Sequence, residues 1–154
     1  MPSPLLPALL AHIDSVFEGP NGDYAAVLEA LAGVSAAQAL WEPSPSQNSI
    51  WQIVEHLISS KQWLIDMLND KNPPSPKWVE PSGGETEWQA SLVRLKDLHQ
   101  QLKAAIQVVP EKDLMEVPVP EWGKTLLELI LSSGPAHEAH HSGQLDYLKG
   151  LQAK

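Results

Sequence analysis

The chain contains no cysteine. That excludes disulfides, a cysteine nucleophile, thiolate metal ligands and a redox dithiol. A metal site here has to be built from His, Asp or Glu, and thiol chemistry requires a thiol supplied from outside. Positive charge is also scarce: Lys and Arg total 10 against 19 Asp and Glu, for a formal net charge of -9. Proteins that bind nucleic acid usually present a basic face, so this balance argues against such partners. Long apolar runs are missing as well. Residues 5–11 are apolar but lack a basic flank and lead straight into His12 and Asp14, which reads as the buried side of an amphipathic helix. A cytoplasmic protein with no membrane association is the expectation.

What is present is ample for a core. Hydrophobic residues make up 43% of 154 residues, and 14 prolines imply several well-defined loops. The expectation is a single domain spanning 1–154. No segment reads as a strand, and there is no internal repeat. Leu5, Leu6, Leu9, Leu10, Ile13, Val16 and Phe17 recur at helical spacing. Gly19-Pro20-Asn21-Gly22 then breaks the pattern, and Tyr24, Val27, Leu28 and Leu31 resume it, as one interrupted helical element or two short ones.

A second helix is predicted from Ser49, because Ser49 and Gln52 have the spacing of a capping box. A third follows Ser82-Gly83-Gly84 and carries Trp88, Leu92, Leu95, Leu98, Leu102, Ala105 and Ile106. A fourth opens at Thr125, with Glu128 three residues on, and runs to about Gly150. Gly134-Pro135 should kink it, since proline removes a backbone donor and crowds the preceding turn. The connections at 34–48, 70–84 and 109–124 each span about 15 residues, against about 2–8 in simple antiparallel bundles. They leave room for crossovers, so up-down-up-down order is not assured.

Three of six histidines fall within five residues: His137, His140 and His141. At about 100° per residue, positions four apart share a helix face, so His137 and His141 can converge on one ion. That face also carries Leu126, Ile130, Gln144 and Leu148. Two core-facing imidazoles each need a partner, and a divalent cation satisfies both. His140 lies about 60° off this stripe and reads as a flank. A third ligand is needed, and His56, on the border of the second helix's apolar stripe, is the leading candidate. His12 and His99 are alternatives; His12 belongs to the interrupted first helix, and His99 is expected to face solvent. Three neutral imidazoles leave coordination positions open, as catalytic sites do.

His137-Glu138-Ala139-His140-His141 also fits H-E-x-x-H, the zinc-protease signature with glutamate as general base. Context argues against it, because no strand is predicted to align a peptide. Only 13 residues follow His141, and Gly143 is misplaced for the metzincin extension. Gln144 and Glu138 remain candidates near the site. Gln144 could orient a ligand or simply pack between helices, and Glu138 could accept from an imidazole N–H, although a solvated surface position is its expected fate. Trp51, Trp63 and Trp88 lie on predicted helices and should serve the core or an interface. Trp41, Trp78 and Trp122 belong to loops, which they should pin onto the helices or supply as the mouth of a pocket.

Ser49-Ile50-Trp51-Gln52-Ile53-Val54-Glu55-His56-Leu57, together with the segment from His137 through His141 to Ser142-Gly143-Gln144-Leu145, resembles the DinB/YfiT-like superfamily. The likeness extends through most of the layout, from Trp41 before a Pro-containing loop to the final Gln-Leu-x-x-Leu. It implies a four-helix bundle in up-down-down-up order, with a divalent metal held by His56, His137 and His141. Zinc is the first expectation for that metal and nickel the second. The resemblance further implies homodimers and, among characterised members, transferases using low-molecular-weight thiols and thiol-dependent isomerases. A transferase acting on a small-molecule substrate is therefore the leading reading. A hydrolase on the same scaffold and a non-catalytic metal-binding or dimerisation bundle are its alternatives. The break at Gly19 to Gly22 and Pro135 just before the histidines depart from the family pattern.

Overall fold

The computed structural model describes residues 4–69 and 72–153. It is all-helical. Among the described residues the only β pairing is an isolated antiparallel bridge between Val119 and Lys124, and no helix is long and apolar enough to cross a membrane.

Helix α1 (Leu5–Phe17) buries Leu9, Ile13, Val16 and Phe17, one stripe of the predicted pattern, while Leu5 faces outward. It ends before Gly19, which takes φ +76; a Cβ there would lie 2.9 Å from Glu29 Cδ. Glycine is thus required twice over, by its left-handed backbone and by the close carboxylate. The chain resumes in α2 (Val27–Leu31), so the first element is two helices, and Tyr24 is left exposed outside both.

The predicted connection at 34–48 contains a helix, α3 (Ala36–Leu40). Ser35 caps it: its Oγ accepts from Gln38 N at 3.3 Å, and its N–H donates to Gln38 Oε1 at 2.9 Å. Helix α4 (Ile50–Leu68) starts as the sequence indicates, with Gln52 N donating to Ser49 Oγ at 3.2 Å and Ser49 N donating to Gln52 Oε1 at 2.6 Å. The following connection was expected at 70–84; Asp70 and Lys71 lie outside the described residues. Helix α5 (Glu85–Gln107) opens beyond Gly84, whose N–H donates to Glu87 Oε2 at 2.8 Å. Glu85 and Glu87 place negative charge in the first turn, where the helix dipole favours it.

Segment 109–124 holds two 3₁₀ turns, Glu111–Met115 and Pro120–Trp122, and anchors itself through the wholly buried Leu114. Helix α6 (Leu126–Leu131) is capped by Thr125, with Glu128 N donating to Oγ1 at 3.2 Å. The expected kink at Gly134-Pro135 lies in the segment Ser132–Ala136, where Gly134 leaves helical geometry at φ -96, ψ -106. Helix α7 (His137–Gln152) follows without a loop.

Helix α4 packs most extensively against α5, α7 packs against α2 and α4, and α1 lies against α5. Trp51 and Trp88 meet edge to face at the α4–α5 interface, ring centroids 5.4 Å apart. Trp88 Nε1–H donates to Val34 O at 2.7 Å, so its one polar atom is satisfied inside the core. Ile13, Phe17, Leu57, Leu64, Leu95, Leu102, Ile130 and Leu145 belong to the same buried cluster. Its effect on the site is to fix α4 beside the start of α7.

Candidate metal centre

His56 comes from the second turn of α4; His137 and His141 come from the first two turns of α7. Their Nε2 atoms point at one another: His56 to His137 at 3.2 Å, and His141 to His137 at 3.0 Å. All three ligand atoms lie within 4.8 Å of one another. Three neutral imidazoles cannot satisfy this arrangement by themselves, because each carries only one N–H. Imidazole nitrogens bound at about 2.0–2.1 Å to one shared ion stand roughly 3–3.5 Å apart, which matches the observed spacing.

The surroundings keep these lone pairs available. Burial, and after it the neighbouring histidines, pull His56 and His137 down to about 4. His141 is also lowered by burial, against the hydrogen bond to Gln144. That bond fixes the tautomer: Nδ1–H donates to Gln144 Oε1 at 2.6 Å, leaving Nε2 unprotonated and facing the other two rings. Gln144 therefore orients His141. His56 is held differently, by Trp78 stacked on its ring at 4.1 Å and 7°, while its buried Nδ1 has no hydrogen-bond partner. From sequence Trp78 was expected to pin a loop onto the helices or to line a pocket mouth; its stacking on His56 was not foreseen. His140 is exposed and sets its ring against His141 at 5.0 Å, a flank as predicted.

Two residues differ from expectation. Glu138 was expected at a solvated surface, yet it is 2% exposed and ion-paired with Lys61 of α4, itself 3% exposed. Its place is set by α4 packing over that face of α7, a contact with no local sequence signature. Burial pushes Glu138 up and Lys61 down, and each partner's charge opposes the shift. Engaged with Lys61, Glu138 is turned to the α4 interface, and the H-E-x-x-H general-base role has no support. Its Oε2 is buried without a partner.

His99 was expected in solvent but is fully buried. It stacks on Phe17 at 4.0 Å and lies with Nε2 2.9 Å from Asp14 Oδ1 and Nδ1 3.3 Å from Lys61 Nζ. Lysine can only donate, so Nδ1 accepts and Nε2–H donates to Asp14. Burial and Lys61 hold His99 at about 4, outweighing Asp14. The same aspartate accepts from Lys103 at 2.7 Å. His99 is thus part of a polar chain that binds α1, α4, α5 and α7 together, and it does not join the trio. His12 is exposed, and neither alternative third ligand reaches the site.

Beside His56 and His137 opens a pocket of about 340 Å³, lined further by Ser60, Trp63, Trp122, Ser132 and Ser133. Trp63 and Trp122 meet there with centroids 6.0 Å apart. Sequence reasoning located these tryptophans on their elements but had no means of seeing that they share a wall.

The family model described as the DinB superfamily matches residues 22–145, most of the chain and all three converging histidines. The chain belongs to that superfamily. No curated protein and no solved structure matches it.

Proposed function

We propose that this member of the DinB superfamily is a metal-dependent enzyme that activates an external low-molecular-weight thiol for transfer to a small electrophile. His56, His137 and His141 are the residues that would hold the ion, through Nε2. Zinc is the first choice and nickel the second, in keeping with an all-imidazole donor set. The observation that carries the reading is the convergence of three Nε2 atoms, from two different helices, within 4.8 Å. A divalent ion held by three imidazoles supplies Lewis acidity that makes a bound thiol or water nucleophilic at neutral pH.

The chain's own residues have separate tasks. Gln144 holds the His141 tautomer, Trp78 covers the His56 ring and limits water there, and the adjoining pocket receives the substrate. With no cysteine in the chain, no internal thiol competes with an external one. We further propose a single domain, α1, α4, α5 and α6–α7 forming a four-helix bundle in up-down-down-up order, a homodimeric assembly and a cytoplasmic setting. No nucleic acid or membrane partner is part of this reading.

Protein purified without chelator is expected to carry close to one divalent ion per chain, and His141→Ala to fall below about 0.1. A wild-type content below about 0.1 that His141→Ala leaves unchanged would discard the centre. Electrophile consumption measured with and without added thiol then reads the reaction. Consumption that ignores thiol points to the hydrolase alternative, and none under either condition points to a non-catalytic bundle.

A further inference from the structure

The pocket beside the histidines has an unusual lining for an acidic protein: among the described residues, no Asp, Glu, Lys or Arg side chain contributes to it. Its walls include the Trp63 and Trp122 rings, and apart from the imidazoles and these indoles its polar side chains are serines. Ser60 is buried to 6% exposure, and among the described residues neither its hydroxyl nor that of Ser133 has a hydrogen-bond partner. A helical serine normally satisfies itself on a carbonyl one turn back. One hydroxyl on α4, and another at the kink before α7, thus line the pocket with their donors free. At about 340 Å³ the space is near the lower limit for small-molecule sites, roughly 300–1,000 Å³.

Charge and chemistry narrow the occupant. An anionic substrate would lose its hydration here without meeting a cationic side chain, the ion's open position being taken by the thiol under the reading above, in a protein whose net charge of -9 already repels it. A flat apolar ring matches the indole walls, and an oxygen acceptor matches the serine donors. We propose that the pocket takes an uncharged, ring-bearing α,β-unsaturated carbonyl compound, its ring against Trp63 and Trp122 and its carbonyl oxygen accepting from Ser60 or Ser133. This rests on the thiol-transfer reading above.

The corresponding step is conjugate addition. The sulfur of the external thiol forms a bond to the β-carbon, and the C=C π bond breaks as its electron pair moves onto the carbonyl oxygen. The thiol's proton ends on the α-carbon. There is no leaving group, in keeping with a pocket that has no cationic side chain to receive one. The oxygen that gains charge needs only hydrogen-bond donors, and the serines supply them.

Benzylideneacetone and cinnamate have nearly the same shape and differ in charge, which makes them the test pair. Binding is measured by equilibrium dialysis to the full chain carrying His141→Ala. His141 does not line the pocket, and without it a carboxylate has no intact centre to ligate. Benzylideneacetone is expected to bind at least about tenfold tighter than cinnamate. Adding Trp63→Ala should weaken it by about tenfold, and Ser133→Lys should turn the preference toward cinnamate. Equal binding of the two probes, or indifference to both added substitutions, overturns the assignment.

With wild-type protein and 2-mercaptoethanol, benzylideneacetone should disappear faster than in buffer, with the saturated thioether as product. Uncatalysed consumption despite binding overturns the addition step. The outcomes remain separable from the metal centre. Neutral preference with no metal in the wild-type protein removes the thiol-transfer reading alone; a metal-loaded protein whose His141→Ala form binds cinnamate equally well removes the pocket assignment alone.

Discussion

Lys61 and Glu138 illustrate what a single pair of residues contributes here. Each is almost fully buried, and each is the other's main compensation for lost hydration. Lys61 also reaches His99 and lies 4.3 Å over the Phe17 ring. Lys61→Met removes one charge and leaves the other enclosed, a loss of about 3–5 kcal/mol in systems where a buried pair is broken. Urea unfolding should show that loss, and the double variant Lys61→Met/Glu138→Leu should recover much of it. If the double variant is no more stable than the single one, an uncompensated charge is not the cause. Neither residue could be read from sequence as a partner of the other, since 77 positions separate them. By contrast His137 and His141 were legible as a pair, because four-residue spacing on a helix is a local fact.

Among the elements, the Ser132–Ala136 segment has the greatest leverage on the site. At Gly134 the backbone leaves helical geometry and α6 and α7 meet at a kink, so everything beyond it is reoriented relative to a continuous helix. His137 follows immediately. Deleting Ser133 should shift the register of α7 by one residue and turn His137 and His141 about 100° away from His56. The expected result is loss of bound metal with helical content by circular dichroism little changed; full retention of metal would show that the segment does not set the register. The sequence announced the kink through Gly134-Pro135, and the kink is there; the angle it sets between α6 and α7 depends on packing that has no local sequence signature. Helix starts at Ser49 and Thr125 were legible because a capping box is completed within four residues. Helix α3 had its box too, in Ser35 and Gln38, but its three alanines and one leucine provide no apolar stripe.

For the molecule as a whole, the buried histidine outside the candidate metal centre sets a pH dependence. His99 is held at about 4 in the fold against an ordinary 6.5. The unfolded chain therefore binds a proton there more readily, and stability falls as pH drops. The loss begins near 6.5 and is complete below about 4, where both states are protonated. Asp14 opposes the change, whereas Lys61 and Lys103 reinforce it. His99→Gln should flatten part of the slope of unfolding free energy between those pH values; an identical slope would place the linkage elsewhere. The burial of His99 was not legible because its partner Asp14 comes from α1, 85 residues away. α1 also lies outside the span matched by the family model.

The path of the chain adds a constraint on assembly. His56 belongs to α4, while His137 and His141 follow the 3₁₀ turns at Glu111–Met115 and Pro120–Trp122. A break at those turns would leave one histidine of the trio on the first fragment and two on the second, with Lys61 and Glu138 divided the same way. Neither fragment holds a complete set. The centre is therefore a complementation property: it exists only where the two lengths of chain have already found each other, and its formation reports that they have.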